Sequence, residues 1–371
     1  MPGRAGEKNA GRNRQFFESN MYLPRAGKGI KSNRKKKKGS LMNRKEFIKG
    51  TLMAAVAAAA PARGFSEAIS KVGANRPKVY FTKDISPRGL LAAYKALGFD
   101  ARGKVAVKFH SGEPGGHNFL TPDFIKPVVD CVRGTLVECN TAYPGRRNTT
   151  EKHAKAIEEH GFPKIAPVDI MDADADMELP VPNGLQIKKN FVGKHFAGYD
   201  SVVVLSHFKG HQMGGFGGAL KNISIGIASS HGKAYIHGAG DPNHMWDCEQ
   251  NKFLESMADA CKSVVDFKKG ALAYVSAMKN LSIDCDCNNH PAAPEMADIG
   301  ILASIDPVAL DQACVDLVYA SKDPGKASLI RRMESKNAVH ILEAAERLGI
   351  GSRKYSLVGL DGSELNAGDV A

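Results

Sequence analysis

Residues 201–222 read SVVVLSHFKGHQMGGFGGALKN. The first half is a run of β-branched and apolar residues without polar alternation, the pattern of a strand buried on both faces. The second half changes character. His207, Lys209, His211 and Lys221 stand around Gly214, Gly215, Gly217 and Gly218. A buried strand that runs into a polar, glycine-rich loop belongs to an open α/β sheet, where ligands bind beyond the carboxyl ends of strands. Four cations or metal-type ligands in so short a stretch are costly to bury unless they are used.

The same unit recurs along the chain. KVYFT (78–82), KVAVKF (104–109), GTLVECN (134–140), DIGILAS (298–304) and KYSLVGL (354–360) read as further strands. Helices are expected at 87–97, at 121–132 with Thr121 as N-cap and Pro122 in the first turn, and at 150–162 closing at Gly161. Two more are expected at 307–320, capped by Asp306, and at 337–350. This alternation gives an α/β fold with a largely parallel sheet and flanking helices. Residues 163–200 and 240–296 are less regular and leave room for insertions or a second small lobe. Residues 108–117, 140–147, 207–221 and 304–311 follow four of the strands and are expected to share one site.

Of the 371 residues, 51 are Lys or Arg and 39 Asp or Glu, a net +12. That excess lies entirely in residues 1–62, which hold 15 basic residues against 3 Glu. The remaining 309 residues carry 36 of each sign and are neutral, so the charge gives no nucleic-acid-binding face. The leader reads as an export signal. Met42 begins a basic segment, TLMAAVAAAA follows as a short apolar core, and Ala60-Pro61-Ala62 suits cleavage after Ala62. An apolar run of ten residues is half of what a membrane span needs, roughly twenty. The expectation is an exported protein of the periplasm or cell envelope, with 63–371 as its folded domain. RKEFIKG resembles a twin-arginine signal, with Lys45 in place of the second arginine, and leaves the general secretory route open.

All seven cysteines lie beyond the leader, and an odd number leaves at least one thiol unpaired. Cys285-Asp286-Cys287 with His290 forms a C-x-C-x-x-H cluster of soft donors suited to zinc or iron. Its alternatives are a disulfide and simple buried thiols. On a strand the two cysteines would face opposite ways, so the cluster needs a loop. Asn288, Asn289 and Pro291 supply one. Arg146 could hold a carboxylate or phosphate in bidentate fashion, or be an ordinary surface arginine. His110 and His117 follow a strand, where one can line the site, although a solvated or structural role is the commoner fate of a loop histidine. Neither G-x-x-x-x-G-K-[ST] nor G-x-G-x-x-G occurs, which gives a nucleotide site no motif. Nor is there a G-x-S-x-G elbow for a serine hydrolase.

Six segments in order, KVAVKFHSGEPG, ECNTAYPGRRNTTEKHAKAIEEHGF, HFKGHQMGGFGGALKN, GKAYIH, CDCNNHPAAPEMADIGILAS and DPVALDQACVDL, run from Lys104 to Leu317. Together they resemble the domain of unknown function 362 family, described as uncharacterised iron–sulfur-centre proteins. Many members carry a ferredoxin-like C-x-x-C-x-x-C after the position of GKAYIH. Here only Cys248 and Cys261 fall between His237 and Ala271, so no ferredoxin-type cluster is expected. The 211–237 stretch also resembles the cofactor loop of the nickel-pincer lactate racemases: Lys221 follows His211 by ten residues and His237 follows sixteen later. That resemblance implies Lys221 as tether or cation, and His211 and His237 as ligand or acid–base groups; it departs at Gln212 and Met213.

The expected function is metal- or iron–sulfur-associated chemistry on a small molecule, redox or acid–base, with iron, zinc or nickel as the metal and a redox partner in the former case. His211 and Lys221 are the catalytic candidates. His207, the four glycines and Arg146 are expected to hold a cofactor, and Cys285, Cys287 and His237 a metal. The alternative is a non-catalytic periplasmic binding protein for an anionic small molecule, with the glycine loop, Lys221 and Arg146 as its anion pocket.

Overall fold

The computed structural model describes residues 76–371; the leader, with Met42 and Ala62, lies outside the described residues. Strands β1 (Lys78–Thr82), β2 (Val105–Lys108), β3 (Thr135–Glu138), β4 (Val168–Ile170), β7 (Ser201–His207), β10 (Leu272–Met278), β11 (Gly300–Ser304) and β12 (Ser356–Gly359) make one sheet. Its order is β12-β1-β11-β10-β7-β2-β3-β4. All its pairings are parallel except those of β11, which runs against both β1 and β10. Two further ladders stand apart, β5 (Asp176–Pro180) with β6 (Lys189–Gly193), and β8 (Lys209–His211) with β9 (Gly215–Gly217). The expected α/β architecture is present.

Strand β7 shows why the sheet is covered on both sides. Every one of its residues is buried, and successive side chains alternate between faces. Val203 and Leu205 join one apolar cluster, with Val107, Val275 and residues of helices α1 (Pro87–Ala96), α2 (Pro122–Val132) and α3 (Thr150–Glu159). Val202 and Val204 join the other. That second layer is built from α4 (Ala219–Ser224), α5 (Ser230–His237), α6 (Gln250–Lys268), α7 (Pro307–Ala320), α8 (Lys326–Ser335) and α9 (His340–Arg347). A short α10 (Ala367–Val370) ends the chain. Each fully buried valine or leucine in these layers contributes roughly 1.5–3 kcal/mol.

The structure differs from expectation in four places. Residues 240–296 do not form a second lobe; they supply α6, the longest of the described helices, and β10, at the centre of the sheet. The alanines of LAYVSAM dilute the β signal, and its burial on both faces removes alternation. Residues 163–200 yield the edge strand β4 and the β5–β6 hairpin. The reversal of β11 places Ser304 opposite Tyr274, at the starting end of β10, so residues 304–311 open at the other edge of the sheet from the remaining loops. Asp306 does cap α7, accepting from the amides of Val308 and Ala309, whereas the Thr121 side chain makes no capping bond.

Two glycines with positive φ separate backbone strain from crowding. Gly98 (φ 59°) has open space where a Cβ would sit. Gly215 (φ 79°) would bring that carbon to 2.4 Å from the Ala338 Cβ. Gly98→Ala is expected to cost about 1 kcal/mol from backbone conformation alone. Gly215→Ala should cost roughly 2–4 kcal/mol, because overpacking adds to it. Urea melts of the two variants check the difference; equal losses would show that the β8–β9 turn has room to relax.

Candidate active site

The glycine-rich stretch folds as the β8–β9 hairpin followed by α4, and its glycines serve separate purposes. Gly215 lets the turn pass against Ala338. Gly218 leaves space for a carboxylate: a Cβ there would lie 2.4 Å from Asp311 Oδ1. Asp311 accepts the amide N–H groups of Ala219 and Leu220 at 2.7 and 2.9 Å. Burial pushes its pKa up to about 7, although both amides act to lower it. The start of α4 therefore already holds an anion from within the chain, and the loop is not an open phosphate cradle. Only Gly217 and Gly218 of the four border the cavity that the loop encloses.

That cavity, about 370 Å³, lies beyond the carboxyl ends of β2, β3, β7 and β10. His110, Arg147, His211, Lys221, His237, Cys285 and Cys287 all contribute to its walls. It thus joins two groups that are 48 residues apart in sequence between His237 and Cys285. Lys221 reaches it without a hydrogen-bond or ion-pair partner among the described residues.

A turn brings the two cysteines to one side. The Asn288 N–H donates to the Cys285 carbonyl at 2.9 Å. Between them Asp286 turns away and accepts from His207 Nδ1 at 2.9 Å and Lys209 Nζ at 2.8 Å. The sulfurs of Cys285 and Cys287 are 3.2 Å apart, and His110 Nε2 lies 3.4 Å from Cys287 Sγ. Donor atoms of these three residues lie within 4.8 Å of one another, a soft set of the type that holds metals. Expected partners of that set are elsewhere: His290 is exposed and His237 lies outside the cluster. The hydrogen bond shared with Cys287, with Lys221 and Lys209 nearby, holds the Cys285 thiol at about 5 against the opposing effect of burial.

Neighbouring backbone groups fix where each imidazole carries its proton. His110 Nδ1 accepts from the Gly112 amide at 3.0 Å. His211 Nδ1 accepts from Met213 and Gly214 at 3.2 and 2.9 Å. In both neutral rings the proton must then be on Nε2; that of His110 lies 3.4 Å from Cys287 Sγ, and Cys287 also interacts with His211. His237 is the reverse case: Nδ1 faces the Lys233 carbonyl at 2.7 Å and must donate, which leaves a lone pair on Nε2. Burial foremost, with Lys221 adding, lowers His211 to about 4 and His237 to about 3. Both rings are neutral at pH 7. His207 has neither nitrogen free, since Nε2 meets the Lys279 carbonyl at 2.6 Å.

Arg146 points outward to Glu159. Its neighbour Arg147 takes the inner place, donating to Glu113 Oε2 at 2.6 Å and to the Tyr143 hydroxyl at 3.0 Å. Tyr143 in turn reaches Cys287. A second buried pair, Lys108 Nζ on Glu138 Oε2 at 2.8 Å, closes the floor. Sequence reasoning left His110 as a minor option and did not single out Arg147 or Glu138. Only the position of His110 directly after a buried strand signalled it.

The family model described as "Domain of unknown function (DUF362)" matches residues 105–316, and the chain belongs to that family. A search of curated proteins finds no match. Among solved structures, the lactate racemase apoprotein from Thermoanaerobacterium thermosaccharolyticum is 13% identical, with 76% of this chain and 82% of that one covered at a TM-score of 0.39. A protein from Thermotoga maritima is also 13% identical, covering 70% and 58%, with a TM-score of 0.37.

The arrangement around Cys285 makes its reactivity testable. Alkylation by iodoacetamide, followed by mass spectrometry of the peptide holding residues 285 and 287, should show a rate that rises with a midpoint near pH 5. Lys221→Gln should move that midpoint upward by removing a nearby cation. A midpoint in the ordinary thiol range, about 8.5, would contradict the described environment.

Proposed function

We propose that this member of the DUF362 family is an enzyme that draws an anionic small molecule into the cavity and performs acid–base chemistry on it. One observation carries the reading: Lys221 lines the cavity without a hydrogen-bond or carboxylate partner among the described residues, beside a histidine whose lone pair is free. Lys221 would hold the anion. His237 Nε2 would take a proton from the bound molecule, and Arg147, paired with Glu113, also lines the cavity. An anion at Lys221 removes the charge that helps keep His237 neutral, so binding itself makes His237 a better base. His211 acts as an N–H donor toward the cysteine pair. The expected export of the chain is compatible with this reading and rests on its leader alone.

The cysteine cluster bears on a metal. Two thiolates and one imidazole suit zinc or iron in kind. A metal-bound histidine, however, donates its second N–H to an acceptor. His110 instead receives an N–H at Nδ1, from Gly112, and points a protonated Nε2 at the sulfur. As arranged it is a donor to the thiolates and does not fit as a ligand. The proposed chemistry is carried by the side chains alone.

Trp246 is the single tryptophan of the chain; it borders the cavity mouth and is 65% exposed. Its fluorescence therefore reports occupancy. Titration with mono- and dicarboxylates and with inorganic phosphate should reveal at least one saturable change. Lys221→Ala should weaken that ligand tenfold or more, on the scale of a charge-assisted hydrogen bond, while the circular dichroism spectrum is retained. His237→Gln should keep binding and lose turnover. Loss of neither binding nor turnover in the two variants would overturn the proposal, and binding with no turnover in the parent protein would favour the non-catalytic binding protein.

A further inference from the structure

We infer that Cys285 and Cys287 form a redox-active dithiol that exchanges with disulfides entering the cavity. The sulfurs share a hydrogen bond at 3.2 Å, both thiols are free, and both line the cavity. Closing a bond of about 2.05 Å requires a shift of roughly 1 Å, which a turn between β10 and β11 can absorb. Cys287 is half-buried and Cys285 buried, so one sulfur of the pair is the more open to a ligand and the other lies within 3.2 Å of it.

The surroundings are those of a held thiolate. His110 aims its Nε2–H at Cys287 from 3.4 Å, and His211 and Tyr143 interact with the same residue. Lys209 and Lys221 add positive charge. Each of these favours the thiolate over the disulfide, so the oxidised pair is readily reduced. Inert buried thiols lack such a shell: Cys139, Cys261 and Cys314 are all pushed upward by burial.

In the exchange, the thiolate of the pair attacks one sulfur of a low-molecular-weight disulfide R–S–S–R and expels RS⁻. The second cysteine, giving up its proton, then attacks the protein sulfur of the mixed disulfide and expels the other RS⁻, which leaves as RSH. The protein gains one S–S bond and loses one proton and two electrons; R–S–S–R is reduced to RS⁻ and RSH. Reduced thiol reverses the steps.

The full-length chain, equilibrated in mixtures of reduced and oxidised glutathione, should form a disulfide between residues 285 and 287, mapped by mass spectrometry. Its occupancy should follow the ratio of the two forms reversibly. His110→Ala should favour the disulfide by about tenfold, because a donor to the thiolate is lost. Cys285→Ser should instead stop at a mixed disulfide with glutathione on Cys287, a result that does not depend on the histidine variant folding. Absence of the disulfide at every ratio would overturn the inference. So would a disulfide that glutathione cannot reopen, which would be structural, or stoichiometric zinc or iron on both sulfurs. Anion binding read by Trp246 involves neither sulfur, so the two readings can fail separately.

Discussion

The Asp286 carboxylate ties together the three loops that make the site. It is buried, and it accepts from His207 at the end of β7 and from Lys209 at the start of β8. Its own carbonyl accepts the Glu113 N–H at 2.8 Å, which draws in the loop after β2. Burial alone would raise the carboxyl pKa, yet His207 and Lys209 hold it well below the usual carboxylate range. Removing one partner from such a set leaves a buried charge uncompensated, which is far costlier than the pair is stabilising. The position between the two cysteines is thus an anchor, and the cysteines face inward because Asp286 faces away.

From that anchor follows a division of labour among similar residues. Four histidines line one cavity; His207 is committed at both nitrogens, and backbone neighbours give His110 and His211 an Nε2–H and His237 an Nε2 lone pair. Three lysines stand close by: Lys209 is committed to Asp286, Lys233 donates to the Ala228 carbonyl at 2.6 Å, and Lys221 has no such partner. Residue type alone therefore says little about role here. The identity of the atom opposite each nitrogen says more.

This explains how much was legible in the sequence. The strand–helix alternation fixed the fold class, since burial on both faces writes itself as continuous apolar runs such as SVVVLSH. The loop around His211 and Lys221 was equally visible, as glycines and cations seldom gather without cause. Strand β10 and helix α6 escaped notice because alanine is compatible with either secondary structure. Arg147 was hidden behind Arg146: nothing local distinguishes adjacent arginines, and only the packing of Glu113 against one of them decides which turns inward. The pairing of His110 with Cys287 spans 177 residues and leaves no periodic trace.

The order of strands also constrains how the molecule is made. β1 lies between β11 and β12, so Tyr80 pairs with Ala303 on one side and Val358 on the other. This strand, the first of those described, must wait for more than two hundred residues before either neighbour exists. Meanwhile β2, β3, β4 and β7 can assemble from segments closer in sequence, and loop closure favours them. The half of the sheet bearing the cavity can form early, while the strand Lys78–Thr82 stays unpaired until β11 is made. A chain cut short anywhere before β12 would keep that strand's edge open, the surface on which strands of other chains pair.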